Sequence, residues 1–162
     1  MHILRIATFV IASFLTLPAS AQGTAITLGG INADPSAPME ISADSLSVDQ
    51  DTGLALFDGN VVVGQGDLRL SAGQVRVSYD AETGDIRFLE ITGGVTIVTA
   101  TEAAEAQTAR YDLDAGELIL SGEVLVTQGA SAMAADRMVV NLEDGTSRLD
   151  GRVRTVFQQA NN

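Results

Sequence analysis

From Met39 to Phe157, apolar and polar residues alternate in runs of five to eight, broken by short polar turns. Period-two alternation marks a strand with one dry and one wet face, because successive side chains leave a strand on opposite sides. Counting in twos from a recurring glycine isolates the apolar set. One copy reads Ala55, Phe57, Gly59, Val61, Val63; the next reads Leu89, Ile91, Gly93, Val95, Ile97. A third reads Leu118, Leu120, Gly122, Val124, Val126, and a weaker fourth reads Ser147, Leu149, Gly151, Val153, Thr155. The other face is mostly polar, as in Glu90, Thr92, Gly94 and Thr96, or Arg148, Asp150, Arg152 and Arg154.

The breaks are explicit turns: Asp51-Thr52-Gly53, Glu82-Thr83-Gly84, Asp114-Ala115-Gly116 and Glu143-Asp144-Gly145. Each puts glycine where a hairpin demands positive φ. A second motif, A-x-x-[LVMA]-x-[VY]-[DSN], runs from Ala43 to Asp49, Ala72 to Ser78, Ala106 to Asp112 and Ala135 to Asn141, with starts 29, 34 and 29 residues apart. Met138 and Val140 carry the apolar side of its last copy. About four repeats of roughly 30 residues predict stacked units that bury their faces on one another. The expected fold is all-β: a single twisted antiparallel β jelly roll or sandwich. The aligned glycine reads as a β-bulge in preference to a place of close backbone approach. Only Thr101 to Ala109, rich in Ala and Glu, has a helix-like composition, and it reads equally as a polar excursion between strands.

The ends differ from this middle. Met1 to Arg5 is short and basic, Ile6 to Leu17 is uncharged, and Pro18-Ala19-Ser20-Ala21 offers small residues in an A-x-A arrangement. That predicts a secretory signal peptide over residues 1–21, cleaved after Ala21, and hence export. Its apolar run is short for a membrane span, which takes roughly 20 residues. Residues 22–38 hold Gly23, Gly29, Gly30, Pro35 and Pro38 and read as a flexible leader. Residues 158–162 read as a polar tail, leaving 39–157 as the domain.

Composition then narrows the chemistry. The chain has no Cys, no Trp and one His, and all nine of its basic residues are arginine against 21 acids, for a net charge of −12. Without the signal, His2 and Arg5 are gone, leaving eight arginines against 21 acids, a net of −13. Imidazole catalysis, thiol nucleophiles, Schiff bases and Cys- or His-ligated metals are thereby excluded from the exported chain. Acidity without a basic run argues against nucleic acid. No metal or cofactor is expected, and no carboxylate is evidently set among apolar neighbours.

The stretch Met39-Glu40-Ile41-Ser42-Ala43-Asp44, followed by Phe57-Asp58-Gly59-Asn60-Val61-Val62-Val63-Gly64-Gln65-Gly66, resembles the OstA-like family of periplasmic lipopolysaccharide-transport proteins of the LptA type. So does Leu120 to Gly129 leading into Ala135-Asp136-Arg137-Met138-Val139-Val140. The resemblance covers 39–157. It implies a jelly roll open at both ends whose apolar groove takes the acyl chains of lipid A. It also implies end-to-end homo-oligomers joined edge strand to edge strand, bridging LptC-like inner-membrane and LptD-like outer-membrane partners in the periplasm. The candidate groove residues are then Phe57, Val61, Val63, Leu89, Ile91, Val95, Ile97, Leu118, Leu120, Val124, Val126, Met138 and Val140. Arg148, Arg152 and Arg154 are candidates for a headgroup phosphate or an acidic partner edge, or simply a solvated stripe.

Two other readings are weighed. A self-assembling β-solenoid without lipid cargo would show the same repeats and sticky ends. A carboxylate-based glycan hydrolase would need an acid pair beside an aromatic platform. The acids are scattered and Tyr79 and Tyr111 are the only tyrosines, so an enzyme is not expected.

Overall fold

The computed structural model describes residues 31, 34 and 36–157. The expected signal peptide and polar tail lie outside the described residues. Eleven antiparallel strands form one sheet: β1 (Met39–Ser42), β2 (Ser45–Asp49), β3 (Leu54–Gln65), β4 (Leu68–Tyr79), β5 (Ile86–Val98), β6 (Glu102–Ala106), β7 (Thr108–Asp112), β8 (Glu117–Gln128), β9 (Ser131–Asn141), β10 (Ser147–Asp150) and β11 (Arg154–Val156). The path is a meander in which β1 and β2 run along one edge, β10 and β11 along the other.

The long strands do not run straight. Pairing between β3 and β4 slips between Asp58 and Val61, and pairing between β8 and β9 slips between Ser121 and Val124. Pairing between β4 and β5 slips at Gly73, opposite Gly93 and Gly94. Gly59, Gly93, Gly122 and Gly151 sit at φ of 79°, 83°, 82° and 76°. The expected bulge is therefore the observed role of the aligned glycine. Left-handed backbone on both bulge residues bends the long strands at mid-length. Each long strand thus spans two layers, while the short strands pair along one half only, as β1 with the second half of β3 and β2 with the first, and the sheet folds over on itself. That is the expected all-β jelly roll.

The hairpin turns also form as read. Gly53, Gly84, Gly116 and Gly145 all have positive φ. Each turn is braced by a carboxylate or amide at its start: Asp49, Asp80, Asp112 and Asn141 accept backbone N–H bonds from residues two or three positions on. Short Asx side chains closing on their own backbone favour such turns.

Neither reading of Thr101 to Ala109 holds: the stretch is neither a helix nor an excursion between strands but supplies β6 and the start of β7, interrupted at Gln107. Ala104 and Ala109 are 1% and 6% exposed and belong to the buried core. Pairing with β5 and β8 on both sides overrides the local helix propensity of Ala and Glu.

Candidate functional site

The two layers enclose a dry interior. All the predicted groove residues point into it: Val61, Ile97, Leu120, Val126 and Met138 are 0% exposed, and Val63, Leu89, Ile91, Val95, Leu118, Val124 and Val140 at most 3%. Phe57 is half-buried and packs against this cluster. Sequence spacing missed further inward residues on the same layers, notably Leu70, Val75 and Val77. Their period-two alternation in β4 was available to find them. The weak fourth copy leaves the interior after Gly151, where Val153 is 51% exposed.

The interior has two margins. At the bend, each bulge is closed by the second residue of the A-x-x motif from the neighbouring strand. Asn60 donates its amide to Asp44 at 2.7 Å, Gln107 donates to Glu123 at 2.8 Å, and Arg152 donates to Asp136 at 2.6 Å. Asn60, Glu123 and Arg152 all hold positive φ, of 45°, 48° and 42°. In the remaining copy the partners are glycines: a Cβ on Gly93 would lie 3.0 Å from the Cα of Gly73. Backbone there meets backbone. These side chains are exposed. The Arg152 guanidinium holds the Asp136 carboxyl below its usual range.

The mouth lies opposite, where the two strand ends approach across the layers. Its chemistry was not legible in the spacing. The Tyr111 hydroxyl donates to Oε1 of buried Gln65 at 3.3 Å, joining the start of one layer's margin to the other's. Burial pushes the Tyr111 phenol up. Glu102, at the head of β6, is 4% exposed. Its Oε1 accepts the Gln128 amide at 2.6 Å, while its Oε2 is buried without a hydrogen-bond partner among the described residues. Desolvation raises its carboxyl above the ordinary range, against the lowering influence of the Ile31 N–H and the Gln128 amide. The expectation that no carboxylate sits among apolar neighbours is thus corrected: tertiary packing, not local sequence, buries Glu102.

Between the layers, Met39, Val63, Leu70, Ile91, Tyr111 and Leu142 are among the residues lining a cavity of about 20 Å³. That is room for one water and none for a hydrocarbon chain. A wider hollow of about 390 Å³ lies on the outer face, lined by Gln74, Arg76, Glu90, Thr92, Thr108 and Arg110 among others. There Glu90 pairs with Arg76 at 3.3 Å and with Arg110 at 3.6 Å. Arg110 also stacks over Phe88 at 4.2 Å.

Of the three predicted arginines, Arg148 pairs with Asp150 at 2.8 Å and Arg152 with Asp136 at 2.6 Å. Arg154 is exposed and has no ion pair among the described residues. Both sheet edges carry bare apolar side chains. Leu46 and Val48 on β2 are 55% and 61% exposed; Val156 on β11 and Phe157 beyond it are 60% and 62% exposed.

Known proteins share this architecture. The crystal structure of LptH, described as the LptA-homologous periplasmic component of the lipopolysaccharide transport device of Pseudomonas aeruginosa, superposes with a TM-score of 0.70 at 20% identity. The match covers 78% of this chain and 99% of that one. In sequence, the lipopolysaccharide export system protein LptH of that organism is 24% identical over 131 residues, spanning 76% of this chain and 74% of its own. An uncharacterized protein of Rhizobium meliloti is 28% identical over 154 residues, spanning 88% of this chain and 83% of its own. The family model for the LptA/LptD N-terminal-domain lipopolysaccharide transport proteins matches residues 40–146, the bent sheet from β1 to the turn before β10, and the chain belongs to that family.

Proposed function

We propose that this protein is a periplasmic carrier that takes the acyl chains of lipopolysaccharide between its two layers and hands the lipid along a bridge from inner to outer membrane. One observation carries the reading: within a chain of a lipopolysaccharide transport family, the inward faces of the long strands are lined by Val, Leu, Ile and Met without a charged group. Such a surface gives hydrocarbon a dry environment, with the titratable Glu102 and Tyr111 set at the mouth. The groove residues are then those predicted, from Phe57 to Val140, and the phosphorylated sugars stay outside, where the strongly acidic chain meets them through screening cations. Binding and transfer need no bond-making step, so the reading includes no catalysis.

The edges supply the bridge. Exposed edge strands are normally protected; here β2 and β11 each present unpaired backbone beside bare Leu, Val or Phe side chains. Strand addition between the β11 edge of one copy and the β1–β2 edge of the next makes a continuous sheet and aligns successive interiors. LptC-like and LptD-like jelly rolls would cap the two ends by the same pairing. Removing residues from Asp150 onward is expected to abolish concentration-dependent association in light scattering while most β signal in circular dichroism persists.

The filled interior favours one rival, a self-assembling β protein without cargo. Photo-crosslinking from position 61 or 124 in cells separates the two. Attached lipopolysaccharide supports the carrier; crosslinks to protein alone support the rival.

A further inference from the structure

The two edges of the sheet carry opposite charge. Between Arg5 and Arg69 the chain has no basic residue, so the edge formed by β1, β2 and their link is purely acidic, with Glu40, Asp44 and Asp49. The opposite edge holds Arg148, Arg152 and Arg154 within seven residues, against Asp150 alone. Most of these groups are already engaged. Arg148 is held by Asp150 and Arg152 by Asp136, while Asp44 accepts the Asn60 amide and Asp49 accepts an N–H of its own turn. Each edge strand keeps one ion without such a partner among the described residues: Glu40 on β1 and Arg154 on β11, both exposed.

Register puts these two ions on the same side of the sheet. Following Cα partners from strand to strand leads from Thr155 through Met133, Val126, Ile97 and Val63 to Ile41, a row whose middle members are buried. Arg154 and Glu40 each stand one position off that inner row, so both lie on the outer face. An odd number of antiparallel pairings separates β1 from β11. A second copy added in the same orientation therefore runs its β1 antiparallel to β11. Continuing the inner row sets Thr155 against Ile41 of the second copy. Arg154 then stands diagonal to Glu40 of that copy, at a backbone separation of roughly 7–8 Å that long side chains span. A slip of one residue would set an inner face against an outer one.

Charge also sets the polarity of such a joint. Two β11 edges would bring arginine to arginine, and two β1 edges carboxylate to carboxylate, so neither edge suits its own kind. Copies of net charge −12 repel at long range. The β11 edge against the β1 edge is where the sign reverses.

We propose that Arg154 of one copy and Glu40 of the next form an ion pair that makes the joint head-to-tail and fixes its register. The proposal rests on the reading of the edges as the bridge. It adds which side chains select the neighbour, and it assigns Arg154 to a partner edge instead of a lipid phosphate.

Charge reversal tests this in the full chain, without lipid. Dissociation constants for self-association are measured by sedimentation equilibrium for the unaltered chain, Arg154→Glu, Glu40→Arg and the double variant, with circular dichroism to verify folding. Each single reversal is expected to weaken association about tenfold. The double variant restores the pair with its signs exchanged and should return to within about twofold of the unaltered chain. Glu40→Arg is the decisive arm, because it makes the chain less acidic: net repulsion alone predicts tighter association, the ion pair weaker. Association by Glu40→Arg as tight as that of the unaltered chain or tighter, or a double variant no stronger than the singles, overturns the pair and leaves the strand joint standing. If the unaltered chain does not associate at all, the edges are not the joint and the pair falls with that reading. Should a reversal disturb the fold, Glu40→Gln decides: weaker association despite the lost negative charge supports the pair, and unchanged or tighter association overturns it.

Discussion

At the bend, Asn60, Glu123 and Arg152 each meet a partner sixteen positions earlier in the chain; at the mouth, Tyr111 meets Gln65 across forty-six. The bend's polar pairs are exposed and tolerate loss, because water replaces any missing partner. Its backbone carries the constraint instead, through glycines that no other residue replaces cheaply. The mouth inverts this. Its left-handed backbone is confined to turn glycines such as Gly66 and Gly129, and the polar side chains of Gln65, Glu102 and Tyr111 are buried, so an unmet hydrogen bond there has no substitute. A fold-back sheet of this kind therefore has one margin built from backbone conformation and one built from buried side-chain chemistry.

The largest effect is expected where both margins depend on the same interior. Val124 is 1% exposed and immediately follows the Gly122-Glu123 bulge. Val124→Asp buries a carboxylate with no partner, and urea unfolding should show a loss of about 3–5 kcal/mol. A variant as stable as the parent would mean that position 124 does not face inward.

Next comes the backbone constraint at the bend. Gly93→Ala places a methyl group 3.0 Å from the Gly73 Cα at a φ of 83°. Backbone cannot rotate away as a side chain can, so the expected cost is about 2–4 kcal/mol. Gly94→Ala meets nothing within 4 Å at a φ of 82°. It should cost less, since only the backbone conformation opposes it. Equal melting temperatures for the two alanine variants would mean that the close approach of Gly93 to Gly73 adds no constraint.

Much of this was readable before any coordinates. The bulges and turns follow from glycines at fixed offsets within alternating strands, and the groove set follows from counting in twos. Those signals survive because they are local: a residue's face is decided by its neighbours one and two positions away. The mouth depends on where distant strand ends land. Nothing near Glu102 marks it as buried, for it sits beside Thr101 and Glu105 in a run that reads as polar. Likewise Ile31 sits in a Gly- and Pro-rich segment with no strand pattern, and only the tertiary fold shows it seated in the core. The strands of 102–112 were obscured by the opposite cause, a local helix preference that pairing overrides. Whether the interior accepts lipid was not decided by pattern, since a groove face and a core face have the same alternation.

A smaller effect distinguishes the margins by the sign of their pH response. Glu102 has a folded pKa raised above its ordinary 4.5 by desolvation. Its contribution favours the fold fully below that value and is lost as pH rises through the raised value. Glu102→Gln, which keeps an acceptor for Gln128 without the charge, should therefore stabilise the protein at pH 7 by about 1 kcal/mol. The gain should shrink toward zero as pH falls to 4.5. Denaturant midpoints at pH 4.5 and 7 measure it, and a gain that grows on acidification would contradict the buried-carboxylate account.

The smallest effect belongs to the bend's ion pair. Asp136 is held below its ordinary 3.8 by Arg152. A lowered pKa contributes stability that is present above the ordinary value and lost as pH falls through the lowered one, the reverse of Glu102. Both partners are open to water, the Arg152 side chain 83% and the Asp136 side chain 43% exposed, so the attraction is screened. Arg152→Gln should leave the melting temperature unchanged in 150 mM salt at pH 7, the more so because position 152 keeps its unfavourable positive φ in either form. Arg152→Gly relieves that φ and should melt no lower than Arg152→Gln despite lacking any side chain. If Arg152→Gly melts well below Arg152→Gln, a long side chain at 152 holds the bulge closed against Asp136. The bend would then depend on side-chain chemistry as the mouth does, and the division between the margins would fail.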